Sequence, residues 1–270
     1  MKEKADKLEE AILSVNKQFG KGTILSMDRS RAAEPVDVIS TGNTAIDALT
    51  GIGGFPRGRI IEVYGPEAGG KTTLCLQVVA QAQAAGGMAV YIDLEQSLDI
   101  NYAASLGVQV EKLLISQPTA GEDALDVALA MIQSGMVSVV VLDSVAALLP
   151  RAELEGDMSD NQMGLVGRIM GKALRKMNAA ISNTNTCMIF VNQIRDKLGI
   201  VFGNPETTPG GKALKFYATI RMDCRRISQI KKGDVIIGHN AKLKCIKNKL
   251  ASPYRDCEVP LHYGRGFVNG

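Results

Sequence analysis

The sequence predicts an α/β fold: a mostly parallel central sheet flanked by helices, an antiparallel extension at the C-terminal end and a helical arm at the N-terminus. Three observations carry that prediction. Apolar, β-branched runs alternate with helical patterns from about residue 60 to residue 193, and parallel strands require such crossovers between them. A glycine-rich loop joins the first of these strands to the helix that follows it. After about residue 213 the pattern turns to shorter β-rich segments without clear intervening helices, which suits antiparallel strands.

The elements follow in order. Leu8, Ala11, Ile12, Val15 and Phe19 recur at helical spacing and Gly20 supplies a stop, so an amphipathic helix opens the chain. Its apolar stripe either packs on its own domain or docks onto a neighbouring subunit, and an apolar patch, Ile24-Leu25, follows it. Residues 28–40 form a polar linker with an extended end, so the chain divides into an arm over 1–30 and a main domain over 31–270. Thr41 to Arg59 combines a short helix with a glycine-rich turn. Strands are predicted at about 60–64, 88–93, 112–116, 137–143 and 187–193. Thr119-Ala-Gly-Glu122 has the form of a capping box for a helix over 122–134. Met163, Val166, Met170, Ala173 and Met177 mark a long amphipathic helix whose methionines form a core stripe. Two loops follow strand ends: Pro150 to about Asn161, mostly acidic, and Ile194 to Gly211, without any secondary-structure period. Loops of that length are functional or disordered.

Composition narrows the class. With 46% hydrophobic and 22% charged residues, 270 residues can bury a sizeable core. A net charge of +3 does not by itself demand a nucleic-acid partner, so such a partner must be argued from local residues. No apolar run approaches the roughly 20 residues needed to span a bilayer, and the charged N-terminus lacks a signal-peptide core. The reading is a cytoplasmic protein without a membrane partner. Cys75, Cys187, Cys224, Cys245 and Cys257 form neither a CxxC pair nor a zinc spacing, which fits reduced, mostly buried thiols. His239 and His262 lie far in sequence from other candidate ligands and suggest no metal site.

The chemistry-bearing residues gather at strand ends. Gly65-Pro66-Glu67-Ala68-Gly69-Gly70-Lys71-Thr72 is a complete G-x-x-x-x-G-K-[ST] phosphate loop, set between a β-branched strand and a helix starting near Thr73. Backbone N–H groups in such a loop turn toward phosphates, and the helix N-terminus adds a favourable dipole. Lys71 reaches the β- and γ-phosphates of a nucleoside triphosphate and the Thr72 hydroxyl ligates magnesium. The strand Val137 to Asp143 places a carboxylate beside that metal. Past the strand Ala89 to Asp93, Glu95 is a candidate to polarise the attacking water, with Asp93 as its competitor and helix capping as the bland role. Asn192 and Gln193 end a third strand, suiting either a switch on the γ-phosphate or a turn-capping pair. In the second loop and just after it, Arg195, Lys197 and Lys212 offer charge, and Ile200, Val201 and Phe202 offer apolar contacts for bases or sugars.

Taken together these segments resemble the bacterial RecA recombinase family over essentially the whole chain. The resemblance is carried by Lys17-Gln-Phe-Gly-Lys-Gly22, Ile39-Ser-Thr-Gly42, Gly58-Arg-Ile60, Tyr64-Gly-Pro-Glu67, Leu142 to Leu148, Met163-Gly-Leu165, Phe202 to Thr208 and Ala213 to Ala218. It implies a P-loop NTPase core of the RecA type that binds ATP and magnesium between subunits of a helical homo-oligomer. It implies single-stranded DNA as first partner and homologous duplex DNA as second, with roles in recombination, repair and the DNA-damage response. On that resemblance Glu95 activates water and Gln193 couples the γ-phosphate to the second loop. Asp99, Tyr102 and Tyr263 join Gly65 to Thr73 and Asp143 at the nucleotide. Lys247 and Lys249 match a pair reaching the neighbouring subunit's ATP, where two cations in trans make hydrolysis depend on assembly. Arg168, Arg175, Arg195, Lys197, Phe202, Asn204, Gly210 and Gly211 match DNA-facing positions. Phe216 matches an interface relay, and the opening helix with Ile24 matches a docking arm.

Two departures bear on these expectations. Gln96 stands where many relatives carry histidine, which touches hydrolysis or its coupling. The sequence ends at Gly270, whereas the family continues into a small C-terminal domain that modulates duplex capture. Two alternatives remain: another RecA-fold motor or repair paralogue, and an ATP-binding interaction module without turnover.

Overall fold

The β-branched run before the phosphate loop sits in the middle of a nine-stranded sheet, with four strands on either side of it. The structure is a computed structural model and describes residues 2–20, 23–24, 35–157, 164–196 and 205–269. It divides into two compact units, residues 1–36 and residues 37–270. In the first unit, α1 (Lys2–Phe19) ends at Gly20, whose φ is 106°. Much of its apolar stripe faces solvent: Leu8 is 62% exposed and Phe19 67%.

The second unit begins with β1 (Val38–Ile39), α2 (Thr44–Thr50) and β2 (Phe55–Pro56). Asn43 caps α2, its side chain accepting from the Ala45 and Ile46 N–H groups, a cap contributing about 1 kcal/mol. Next come β3 (Ile60–Gly65), α3 (Lys71–Ala84), β4 (Met88–Asp93), α4 (Ile100–Ser105), β5 (Leu113–Ser116), α5 (Gly121–Gln133) and β6 (Val137–Asp143). Then α6 (Arg151–Glu155), α7 (Leu165–Thr184), β7 (Cys187–Gln193), β8 (Arg195–Asp196), β9 (Glu206–Thr207) and α8 (Gly211–Tyr217) follow. The chain closes on β10 (Ile220–Lys232), β11 (Val235–Asn248), β12 (Asp256–His262) and β13 (Gly266–Phe267).

The sheet runs β13-β12-β11-β10-β3-β7-β6-β4-β5. From β10 to β5 every pairing is parallel; from β10 to β13 every pairing is antiparallel. The predicted architecture is therefore the observed one. Period-2 alternation explains the two cores. Val139 and Val141 of β6 face the layer built on α3, while Val140 and Leu142 face the layer built on α5 and α7. In α7, Met170, Leu174, Met177 and Ile181 are buried at helical spacing, as the methionine stripe predicted; Met163 lies outside the described residues.

Three local expectations need correction. Ala120, not Thr119, is the N-cap of α5, and no side chain caps it; the Glu122 carboxylate instead accepts from the Arg151 N–H at 2.8 Å. The terminal strands are not shorter: β10 has 13 residues and β11 has 14, and a helix, α8, precedes them. Three register shifts let that long hairpin twist without losing its pairing. The two loops also hold short elements, α6 in the first and the paired β8 and β9 in the second.

Candidate nucleotide site and its links to the loops

Parallel pairing brings the chemistry to one sheet edge. Gly65 lies opposite Gln193, and Asp93 lies opposite Asp143. Between β3 and α3 the loop turns at Gly70, whose φ of 94° favours glycine. A Cβ there would lie 2.7 Å from Leu261 Cδ1 and 2.8 Å from Phe267 Cζ, so the loop is pressed against β12 and β13. Gln77 of α3 fixes that contact, accepting from the Phe267 N–H at 2.9 Å and donating to the Phe267 carbonyl at 3.1 Å.

Lys71 donates to the Pro66 carbonyl at 2.6 Å, across the loop it would serve, and burial holds its pKa below the usual lysine value. The Thr72 hydroxyl donates to Asp143 Oδ2 at 2.8 Å, and the Tyr91 hydroxyl donates to the same oxygen at 2.7 Å. Burial raises the Asp143 pKa, while those two hydrogen bonds and Lys71 pull it back. These donors fit magnesium, a hard cation that takes hydroxyl, carboxylate, phosphate and water oxygens. Among the described residues no group of three or more His, Cys, Asp or Glu forms a separate metal site.

Glu95 and Asp93 part company. Asp93 is buried and accepts from the Ser97 and Leu98 N–H groups and from Gln117, so it holds the turn after β4. Glu95 Oε1 accepts from Ser144 Oγ at 2.5 Å and from Gln193 Nε2 at 3.1 Å. The next residue, Gln96, has a left-handed φ of 50°. Neither the Ser144 contact nor the Tyr91 contact was visible in the sequence, since each joins residues about fifty positions apart.

A cavity of about 250 Å³ opens over Ala68 to Thr73 and is closed by Tyr102, His239, Leu261 and Tyr263. The Tyr102 hydroxyl lies 2.8 Å from Thr73 Oγ1. Asp99 caps α4, accepting from the Asn101 and Tyr102 N–H groups, and so fixes Tyr102 rather than lining the cavity. Gly65, Pro66, Glu67 and Asp143 lie outside those walls, as do Lys247 and Lys249. Lys247 donates to the Lys215 and Phe216 carbonyls at 2.6 and 3.0 Å, and Lys249 to the Phe216 carbonyl at 2.8 Å. Phe216 itself is 70% exposed.

Asn192 ties this edge to the second loop. Its amide donates to Glu62 Oε1 at 3.0 Å and to the Pro209 carbonyl at 3.1 Å. Glu62 is fully buried and pairs with Arg221 at 2.5 Å; Arg221 in turn stacks over the Tyr64 ring at 4.6 Å. Burial pushes the Tyr64 pKa up to about 12. At the end of the loop, Gly210 is the N-cap of α8 with φ 86°. A Cβ on Gly211 would lie 3.2 Å from Gly167 Cα, so α7 and α8 meet backbone to backbone where the two loops end. Arg168 and Arg175 are exposed on α7, and Arg195 is exposed on β8. Lys197, Phe202 and Asn204 lie outside the described residues.

The sheet order, the phosphate loop and the Asp-ended strand beside it define a P-loop nucleoside triphosphatase core. A family profile described as the RecA N-terminal domain matches residues 6–268. Protein RecA of Laribacter hongkongensis is 53% identical over 265 residues, covering 98% of this chain and 75% of that protein. Protein RecA of Geobacter metallireducens is 51% identical over 265 residues, covering 98% and 78%. A crystal structure of the RadB recombinase shares the fold, with a TM-score of 0.65 and 21% identity over 86% of this chain and all of that one. The chain belongs to the RecA family of recombinases. No helix among the described residues is long and apolar enough to cross a membrane.

Proposed function

We propose that the chain is the ATPase core of a recombinase that assembles as a helical filament on single-stranded DNA and pairs it with homologous duplex DNA. The observation that carries this reading is the Gln193–Glu95 contact. The amide at the root of the second loop touches the carboxylate beside the phosphate loop, which suits a nucleotide state reported to a loop.

The phosphates rest on Gly65 to Thr73, and Lys71 leaves Pro66 to meet them. Thr72 and Asp143 would hold magnesium, which would supply positive charge against the transferring phosphoryl group. Glu95 accepts a proton from the attacking water. Gln193 exchanges Glu95 for the γ-phosphate and pulls on β7, whose neighbour Asn192 already grips Pro209. Tyr102 and Tyr263 flank the nucleoside and Asp99 positions Tyr102. Lys247 and Lys249 act on the neighbour's ATP, a reading supported by their shared hold on the carbonyl of Phe216, whose side chain is 70% exposed.

DNA is held by Arg168, Arg175, Arg195, Lys197, Phe202 and Asn204, with Gly210 and Gly211 letting the backbone approach. Phosphate contacts without base readout make binding sequence-tolerant and strongly salt-dependent. The arm over residues 1–30 docks on the next subunit, supported by the exposed Leu8 and Phe19.

The test is ATP hydrolysis at low salt with and without unstructured single-stranded DNA. A large DNA-dependent rise is expected. No rise, with ATP still bound, would replace this reading with an ATP-binding module lacking coupled turnover. Closed rings instead of helical filaments in electron micrographs would favour another RecA-fold motor.

A further inference from the structure

Tyr91 lies within β4, between Ile115 of β5 and Val141 of β6, and its side chain is 1% exposed. It belongs to the core layer that also holds Val139, Val141 and the apolar residues of α3. A phenol in such a layer must find a partner for its hydroxyl. Among the described residues that partner is Asp143 Oδ2, at 2.7 Å, and there is no second one. In the strand register Asp143 stands two residues beyond Val141, the residue opposite Tyr91, so a long side chain is needed to span the diagonal. Phenylalanine would fill the same space and make no such bond. Asp143 is itself 8% exposed, and a buried carboxylate depends on donors. Its two hydrogen bonds, from Thr72 on α3 and Tyr91 on β4, both fall on Oδ2, while Oδ1 takes none among the described residues. Of the two donors, Thr72 is the one shared with the ion on the reading above. The Tyr91 hydroxyl serves the carboxylate alone.

We propose that Tyr91 is a positioning residue of the magnesium site, its hydroxyl fixing the Asp143 carboxylate so that the second oxygen is left for the ion's shell. The inference deepens the ATP-binding reading and rests on it. Tyr91 lies outside the walls of the cavity over the phosphate loop, so it acts through Asp143 and not on the nucleotide. Partners of this kind orient a metal ligand before the metal arrives, so less ordering remains to be done on binding. Without the hydroxyl, Thr72 alone holds Oδ2, the carboxylate gains freedom to turn, and metal binding weakens by the cost of ordering it.

The test measures equilibrium ATP binding to the full chain and its Tyr91→Phe variant, once with saturating magnesium and once with EDTA in its place. Expected is a roughly tenfold loss of affinity in Tyr91→Phe with magnesium, the lower end of what removing a metal ligand's outer partner costs. In EDTA the two proteins bind ATP alike. Repeating the substitution in an Asp143→Ala background gives no further loss, because no carboxylate remains to be oriented. Unchanged affinity with magnesium would overturn the proposal and leave Tyr91 as core packing. Equal losses with and without the metal would also overturn it, making Tyr91 a support of the fold. A full further loss in the Asp143→Ala background would overturn it by showing that Tyr91 does not act through Asp143. If the unsubstituted chain binds ATP equally well in magnesium and EDTA, the magnesium site falls and the proposal with it. No binding in either condition would instead remove the ATP reading itself.

Discussion

Gln193 donates from Nε2 to Glu95 Oε1 over 3.1 Å, joining the end of β7 to the turn after β4. The same oxygen accepts from Ser144 Oγ at 2.5 Å, so one carboxylate gathers the ends of three neighbouring strands. On the proposed reading an arriving γ-phosphate would compete with Glu95 for the amide. Gln193→Ala is expected to keep ATP binding and basal hydrolysis while removing most of the DNA stimulation. Steady-state hydrolysis with and without single-stranded DNA measures this, and full stimulation in the variant would place the coupling elsewhere.

Glu95→Gln retains a hydrogen-bonding side chain of the same size but cannot take a proton. Hydrolysis should fall by about 10²-fold to 10⁴-fold, the usual contribution of a general base, with ATP binding and filament formation retained. Equal turnover in the variant would take Glu95 out of the chemistry.

The Glu62–Arg221 pair has a stability consequence. Arg221→Met leaves a fully buried carboxylate without its cation, which should cost about 3–5 kcal/mol. The double variant Glu62→Gln/Arg221→Met should recover much of that loss, because no unpaired charge remains. Denaturant midpoints of the two variants give the comparison, and equal midpoints would mean the pair is not coupled.

Asp143→Asn should move stability and activity in opposite directions. Burial disfavours the Asp143 charge in the fold, so neutralising it should stabilise the nucleotide-free protein, while the proposed magnesium site would lose its carboxylate. Thermal unfolding should shift upward and magnesium-dependent hydrolysis should fall by about 10²-fold or more. A downward thermal shift would show that the bonds from Tyr91 and Thr72 outweigh the burial cost.

His239 gives the fold a pH response with a definite sign. Its folded pKa lies below the ordinary 6.5, so the unfolded chain takes up the proton first as pH falls. Its contribution to stability is therefore intact above about 6.5 and lost as pH drops from there toward the lowered folded value. Between about pH 7.5 and about pH 5.5 the denaturation midpoint should fall less in His239→Gln than in the unsubstituted chain. Identical slopes would show that other groups carry the response.

The backbone of the site was legible because it is local. A β-branched strand, a glycine motif and a helix are adjacent in sequence, and strands ending in Asp143 and Gln193 declare themselves by apolar runs with a polar stop. Parallel pairing then forces those ends to one edge. The remaining features depend on residues that meet only after folding. Tyr91 and Asp143 are 52 positions apart, Glu62 and Arg221 are 159 apart, and no local pattern announces either pair. His239 looked unremarkable because its strand is known as a cavity wall only once β11 is seated against β12. The apparent capping box before α5 failed for a related reason: Glu122 was taken by Arg151 of another element.

The touching backbones of Gly167 and Gly211 tie the two loops to a single pivot. Each loop ends within a few residues of that point, where a methyl on Gly211 would press to 3.2 Å from Gly167 Cα while one on Gly167 would meet Gly211 at an ordinary 3.6 Å. Tilting one root must therefore carry the other along, as two oars fixed to one pin would move. Grafting a foreign sequence into either loop alone should reset the angle of its twin.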